Sequence, residues 1–409
     1  MRKITLLTLI ALVASFLNFK ASGQDAPVTE AAPAKGELTI SGYVDVYYQY
    51  NLNTPPHNVG NPIALPQPLG FGFENTGRIF DIKHNEFSLG LAQTKFAYTK
   101  GKLTGVVDLT FGPNAELGNF GNIFGSMISI KQAYMDYAFT DKLKFTIGQF
   151  GTHVGYELID APLNFNYSLS YLFGNGPFYH TGAKLSYAVS DKFGLMAGIV
   201  NGWDSQFDFN DKKTFIGQVY VAPVDGFSLY LNYVGGDEKK GGSFPTIAGA
   251  VDSAKTTSHI FDLTTTYQVT EDFKIGLNAA YGTGNLLIDT VALAAAAPEE
   301  KYNSASWYGV ALYLNYNISD KFGIGLRAEH FNDEEGVRYI TVATGMPAAY
   351  NEFTLTGNIA LEDGKFLIKP EVRVDVAGED AFGKFDSDGV LDEMTNTQTT
   401  IGAAFIFSF

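Results

Sequence analysis

Residues 396–409 read NTQTTIGAAFIFSF, and this closing stretch decides the fold. Ile401, Ala403, Phe405, Phe407 and Phe409 fall on one face of a period-two strand, with Gln398, Thr400, Gly402, Ala404 and Ser408 mainly on the other. The same two-faced pattern opens the sequence proper. In residues 37–52, Leu38, Ile40, Val44, Val46, Tyr48 and Tyr50 alternate with Thr39, Ser41, Asp45, Gln49 and Asn51. It is sharper still in 365–377, where Phe366, Ile368, Val372, Val374 and Val376 oppose Lys369, Glu371, Arg373 and Asp375.

Between these ends one short pattern recurs, a polar turn followed by an alternating apolar strand. The turns are Thr99-Lys100-Gly101, Thr140-Asp141-Lys142, Ser190-Asp191-Lys192, Val224-Asp225-Gly226, Thr270-Glu271-Asp272, Ser319-Asp320-Lys321 and Glu362-Asp363-Gly364. Asp, Asn and Gly suit such tight connections because they tolerate the backbone angles required. Longer connections separate them at 53–83, 113–128, 152–176, 237–256, 285–302, 333–349 and 378–395, with a shorter one at 203–211. Seven tight turns join fourteen strands, and the opening and closing strands make sixteen.

Alternating tight turns and long loops, with an even strand count, belong to an outer-membrane barrel. The expected fold is all-β: a transmembrane antiparallel up-and-down barrel of about sixteen strands over 37–409, with short periplasmic turns and long external loops. A soluble sandwich or propeller shares the alternation. The strand count, the turn asymmetry and the aromatics near strand ends separate the two, since Tyr and Phe suit a membrane interface.

Composition agrees. The 409 residues include 33 Phe, 23 Tyr and 44 Gly but no Cys, and only 17% are charged. Without cysteine there is no disulfide framework, thiolate metal site, cysteine nucleophile or lipoprotein anchor. An acidic chain with no basic block is a poor nucleic-acid binder. At the N-terminus, Arg2 and Lys3 precede the apolar run TLLTLIALVASFLNF and the small residues Ala21, Ser22 and Gly23. A basic start, a short apolar core and small residues before the cut predict a signal peptide over 1–23. Residues 24–36 read as a flexible leader. Removing the signal leaves 25 basic against 43 acidic residues, a net charge of −18. The aromatic C-terminus, with Phe405, Phe407 and Phe409 at alternate positions, resembles the terminal-strand signal read by the barrel insertion machinery.

The stretch 148–204 resembles the OmpL-like β-barrel porin family. The resemblance is carried by Gly148-Gln149-Phe150, Gly155-Tyr156-Glu157, Asp160-Ala161-Pro162, Asn166-Tyr167-Ser168 and Ser170-Tyr171, then by Gly176-Pro177-Phe178, His180-Thr181-Gly182 and Asn201-Gly202-Trp203-Asp204. It implies a channel of the bacterial outer membrane, surrounded by lipid, and brings neither a defined substrate nor catalytic residues.

A barrel of this width is too wide for its own side chains to fill and leaves an aqueous lumen. Loop 152–176 is the third external connection, and it is similar in position and length to the loop that folds inward as the constriction of sixteen-stranded general porins. It carries Glu157 and Asp160 but no Lys or Arg. Wall positions inferred from alternation are Asp45, Asp108, Asp136, Lys184, Arg327, Glu329, Lys369, Glu371, Arg373 and Asp375. Acidic loop residues opposite basic wall residues would set a transverse field, the means by which a wide pore favours one sign of ion. Alternatively, Glu157 and Asp160 only pin the loop by accepting backbone hydrogen bonds.

Other chemistry is thin. His153 and His180 flank the third loop without metal-binding spacing. Gly282-Thr283-Gly284 reads as a turn, not a dinucleotide site. Asp386-Ser387-Asp388-Gly389 with Asp392 and Glu393 reads as a solvated acidic loop that falls short of a calcium site. The expected function is a passive, cofactor-free porin, not an enzyme, for small hydrophilic solutes and ions, with a mild cation preference and a homotrimer as the candidate assembly. A sugar- or oligosaccharide-selective channel and a non-conducting barrel adhesin are the rivals.

Overall fold

The computed structural model describes residues 35–57, 74–118, 129–208, 210–237, 257–287, 302–335, 338 and 349–409. The expected signal peptide, all of the leader up to residue 34, and parts of the first, second and fourth to seventh external connections lie outside the described residues. The strands are β1 (Glu37–Asn51), β2 (Phe87–Lys100), β3 (Leu103–Phe111), β4 (Ser129–Ala138), β5 (Leu143–Gly151) and β6 (Tyr179–Ser190). They continue with β7 (Phe193–Val200), β8 (Thr214–Val221), β9 (Phe227–Asp237), β10 (Thr257–Gln268), β11 (Phe273–Leu287) and β12 (Tyr302–Ser319). The last are β13 (Phe322–Asn332), β14 (Ala349–Leu361), β15 (Phe366–Ala377), β16 (Phe382–Phe385), β17 (Leu391–Thr395) and β18 (Thr397–Ser408).

Each of β1 to β15 pairs with its neighbour in sequence, and β18 lies between β15 and β1, closing a barrel of sixteen strands. The seam runs antiparallel from Tyr43 opposite Ser408 to Asn51 opposite Thr400. Closure gives every edge a partner, which a sheet in hydrocarbon needs. All seven expected turns connect consecutive strands. In the last of them Glu362, Asp363 and Gly364 all adopt positive φ, a strained conformation for the first two.

The pleat sorts the side chains as the alternation requires. Leu38, Ile40, Leu231, Leu355 and Ile401 face outward and are exposed, whereas Asp45, Gln49, Asn278, Arg327 and Thr400 face inward. Outward aromatics gather near both rims: Tyr98, Tyr137, Tyr187, Tyr267, Phe322 and Phe407 toward the tight turns, and Phe87, Phe215, Phe261, Tyr281 and Tyr308 toward the loops.

Three details differ from the sequence reading. The third connection runs two residues further, to Phe178. The eighth is not irregular: β16 and β17 form a separate two-stranded hairpin in it. There Asp386 accepts the backbone N–H groups of Asp388 and Val390 at 2.9 Å each, and Glu393 pairs with Lys384 at 2.7 Å. Gly282-Thr283-Gly284 is no turn but part of β11, paired along β12, and glycine stands at 282 because the Trp307 ring lies where a side chain would collide.

An arginine placed at Leu355, at mid-strand on the lipid face, is expected to destabilise the barrel by about 2–4 kcal/mol. Urea-driven unfolding from lipid vesicles measures this directly.

Candidate functional site

The third loop, residues 152–178, folds into the barrel and lies against the inner wall. Wall carboxylates hold it by its backbone. Glu329 on β13 accepts the N–H groups of Tyr171 and Leu172 at 2.8 and 2.7 Å, at the start of a short helix, Tyr171–Asn175, capped by Ser170. Glu371 on β15 accepts those of Tyr167 and Ser168 at 2.8 and 3.1 Å. Asp262 on β10 accepts that of Gly155 at 3.1 Å. Wall cations take the carbonyls: Lys369 donates to Ala161 at 2.8 Å and Arg373 to Leu169 at 2.7 Å. A buried loop backbone has no water to bond, so each of these contacts offsets a desolvation cost.

The loop also fits the wall by shape. Phe165 lies over Gly325 of β13, where an added Cβ would come within 2.2 Å of its ring. Tyr156 sits over Gly276 of β11 in the same way, at 2.4 Å, and stacks on Tyr313 with ring centroids 4.1 Å apart. Burial raises the phenols of Tyr156, Tyr167 and Tyr171, so these rings stay neutral in the loop.

A buried ladder of charges underlies this packing. Glu157 meets Arg327 at 2.6 Å, and Arg327 also engages Glu352 of β14 at 2.8 Å. Arg373 pairs with Asp375 at 2.8 Å and lies 3.8 Å from Glu352. Asp375 in turn receives Arg78 at 2.7 Å, and Arg78 pairs with Asp81 at 2.7 Å. Signs alternate along the whole series, from Glu157 to Asp81. Burial pushes the Asp81 carboxyl above its ordinary range despite the guanidinium beside it.

Arg78 and Asp81 belong to the first external loop, whose residues 74–85 therefore also lie inside the barrel. Its Ile79, Phe80 and Ile82 pack with Leu117 of the second loop and Leu169 and Phe173 of the third. Three loops thus share one small apolar core within the lumen.

The residues expected from the sequence fall into two groups. Glu157, Arg327, Glu329, Lys369, Glu371 and Arg373 come together at the third loop, Asp45 joins them through the Tyr167 hydroxyl at 3.2 Å, and Asp375 instead links Arg373 to Arg78 of the first loop. Glu157 touches Arg327 rather than facing it across water, because the loop lies flat on the wall. It also accepts the Ser170 N–H at 2.8 Å. Asp160 lies elsewhere on the loop, in an ion pair with Lys131, which is 3.7 Å from Asp108. Asp136 and Lys184 stand apart from the loop. Asp136 pairs with Lys144 at 3.5 Å, and the Lys184 ammonium lies 4.6 Å from the Phe150 ring centre.

Arg78, Asp81, Lys131, Asp262 and Glu352 were missed by the sequence reading. Alternation with Thr354 and Thr356 was the available signal for Glu352. The flanking apolar residues of Arg-Ile-Phe-Asp-Ile, 78–82, were the signal for the first loop. His153 and His180 are buried and hydrogen-bonded, to the Tyr233 carbonyl at 3.1 Å and the Thr152 hydroxyl at 3.2 Å. Among the described residues no group of three or more potential metal ligands converges.

A closed barrel with loops folded into a polar lumen is the architecture of a porin, and the family comparison agrees. The family model described as "Putative beta-barrel porin-2, OmpL-like" matches residues 37–409. The chain belongs to this family. It is an outer-membrane porin. No curated protein matches it in sequence. Its fold is similar to that of the outer-membrane channel DcaP of Acinetobacter baumannii, with a TM-score of 0.57 and 12% identity over 93% of this chain and 100% of that one. The trimer form of OmpT from Vibrio cholerae gives 0.54 and 12%, over 91% and 99%. An anion-selective porin from Comamonas acidovorans gives 0.55 and 11%, over 92% and 100%. At these identities the likeness of this porin to all three is one of fold.

Replacing Arg327 by Met would strand Glu157 and Glu352 together without their shared cation. We expect a loss of about 3–5 kcal/mol in urea unfolding, the usual effect of breaking a buried ion pair from one side.

Proposed function

We propose that this porin is a passive diffusion channel for small hydrophilic solutes and ions, with a weak cation preference. The observation that carries this reading is the uneven cover of the inner wall. From β8 round to β1, polar inward side chains such as Gln218, Asn232, Asn278, Arg327, Thr354 and Thr400 are buried. From β2 to β6 the cover is incomplete: Asp108, Gln132, Thr146 and Lys184 are buried, but Gln93, Lys95, Tyr134, Asp136 and Lys144 keep partial exposure. The aqueous path runs along that second side, beside the loops rather than through them.

Transport needs no catalysis or cofactor in this reading. Solutes move down their gradient through a wetted gap. The cation preference draws on the expected net charge of −18 and on the buried Asp108 and Asp160, whose two charges outnumber that of the partly exposed Lys131 between them. Glu157, already matched to Arg327 and the Ser170 amide, acts as a positioning residue for the loop. Phe405, Phe407 and Phe409 present the terminal strand to the insertion machinery, and the barrel assembles as a homotrimer in the outer-membrane lipid.

A second reading, a barrel that conducts nothing, is favoured by the extent of buried wall. The aromatic surface a sugar channel would use gives that rival less support, because Tyr43, Tyr47, Tyr171, Tyr313 and Tyr350 are covered.

Planar-bilayer recording separates these readings: discrete conductance steps are expected, and a silent, folded barrel would sink the channel. In a salt gradient, Asp160→Asn should move the reversal potential toward anions, while Glu157→Gln should leave it unchanged. A shift caused only by Glu157→Gln would place the selectivity on the covered side.

A further inference from the structure

Residues 74–85 of the first external loop are bonded into the lumen as thoroughly as the third loop. Residues 74–85 close on themselves, with the Glu74 and Asn75 amides both donating to the Ile82 carbonyl at 2.9 and 3.0 Å. The Glu74 carboxylate takes the His84 N–H at 2.7 Å and the Lys83 ammonium at 3.3 Å. The folded loop is then fixed to three adjacent strands. Asn75 bridges Gln49 and Asn51 of β1, each at 3.1 Å. Gln398 of β18 reaches the Thr76 carbonyl at 3.3 Å. Arg78 spans Asp375 of β15 and Thr400 of β18, at 2.7 and 3.0 Å.

We propose that this first loop is a second constriction element of the pore, with Arg78 as the residue that positions it. The proposal rests on the porin reading and extends it to an element that reading did not include. Two observations independent of each other support it. The apolar side chains Ile79, Phe80 and Ile82 fill space that the third loop leaves open, against Leu169 and Phe173. And Arg78 is a buried cation set between two carboxylates of different origin, Asp81 on its own loop and Asp375 on the wall.

The energetics make Arg78 a selective point of release. Without the guanidinium, Asp81 would be buried facing Asp375 with no cation of its own loop, and water is the cheaper place for it. Asp375 keeps Arg373 at 2.8 Å, so the wall stays neutralised. Arg78 lies outside every strand and takes no part in the backbone hydrogen bonds that close the barrel. The loop therefore leaves the lumen while the barrel holds, and the lumen widens next to β1, β18 and β15.

The experiment compares wild type and Arg78→Gln in planar bilayers and in liposome swelling with sugars of increasing size. Retention of the heat-dependent gel shift reports folding in both. We expect conductance to rise about twofold or more, with larger sugars admitted, as a wider lumen requires. If Arg78→Gln does not fold, Phe80→Ser, which leaves the ions in place, carries the same expectation. A reversal arm uses the absence of native cysteine. Asn51→Cys and Asn75→Cys are added to Arg78→Gln and bridged by a short bifunctional methanethiosulfonate. Bridging should return conductance to the wild-type value, and reduction should raise it again. A conducting wild type beside a folded Arg78→Gln of equal conductance overturns the role of the loop alone. So does a bridge that leaves conductance raised. A silent wild type overturns the porin reading itself and this inference with it.

Discussion

Hydrocarbon offers no partner to a bare backbone amide, so a sheet placed in a membrane has to close on itself. Everything else in this porin follows from the seam between β1 and β18. Closing sixteen strands fixes a diameter that inward side chains alone cannot fill. It also fixes the sidedness: with β1 beginning and β18 ending at the tight-turn rim, the long connections emerge at the other. The lumen is thus an unavoidable void beside a supply of chain long enough to enter it.

Chain that enters the lumen brings its backbone polar groups along, and this explains the unusual chemistry of the wall. On β10, β13 and β15 the inward carboxylates do not face water; Asp262, Glu329 and Glu371 accept loop amides. Burying such ions costs several kcal/mol each unless the charge is matched. For Glu157, Glu352, Asp375 and Asp81 the alternation with Arg327, Arg373 and Arg78 provides that match. Because one guanidinium serves two carboxylates on different segments, the ladder also specifies which loop sits where. Glycines at 276 and 325 complete the fit by removing the side chains that loop rings would otherwise strike.

The barrel was largely legible in the sequence because its signals are local. A turn such as Ser319-Asp320-Lys321 and a strand such as 365–377 each declare themselves within a dozen residues. Wall charges such as Arg327 and Lys369 could be assigned to the lumen for the same reason, since the pleat fixes the direction of every second residue. Their partners could not. Glu157 and Arg327 are 170 positions apart, and Arg78 and Asp375 are 297 apart. Nothing in either neighbourhood marks the other.

The sequence by itself therefore determined the barrel, its strand count, its sidedness and which residues face inward, because period-two alternation and turn chemistry act over a few residues. Only the tertiary structure decided that the first loop joins the third inside the lumen. Likewise, only the assembled fold turned the acidic wall from an exposed lining into a bed for loop backbone. Those outcomes depend on which distant charges share a closed space, and that is set by the curvature of the barrel rather than by any local pattern.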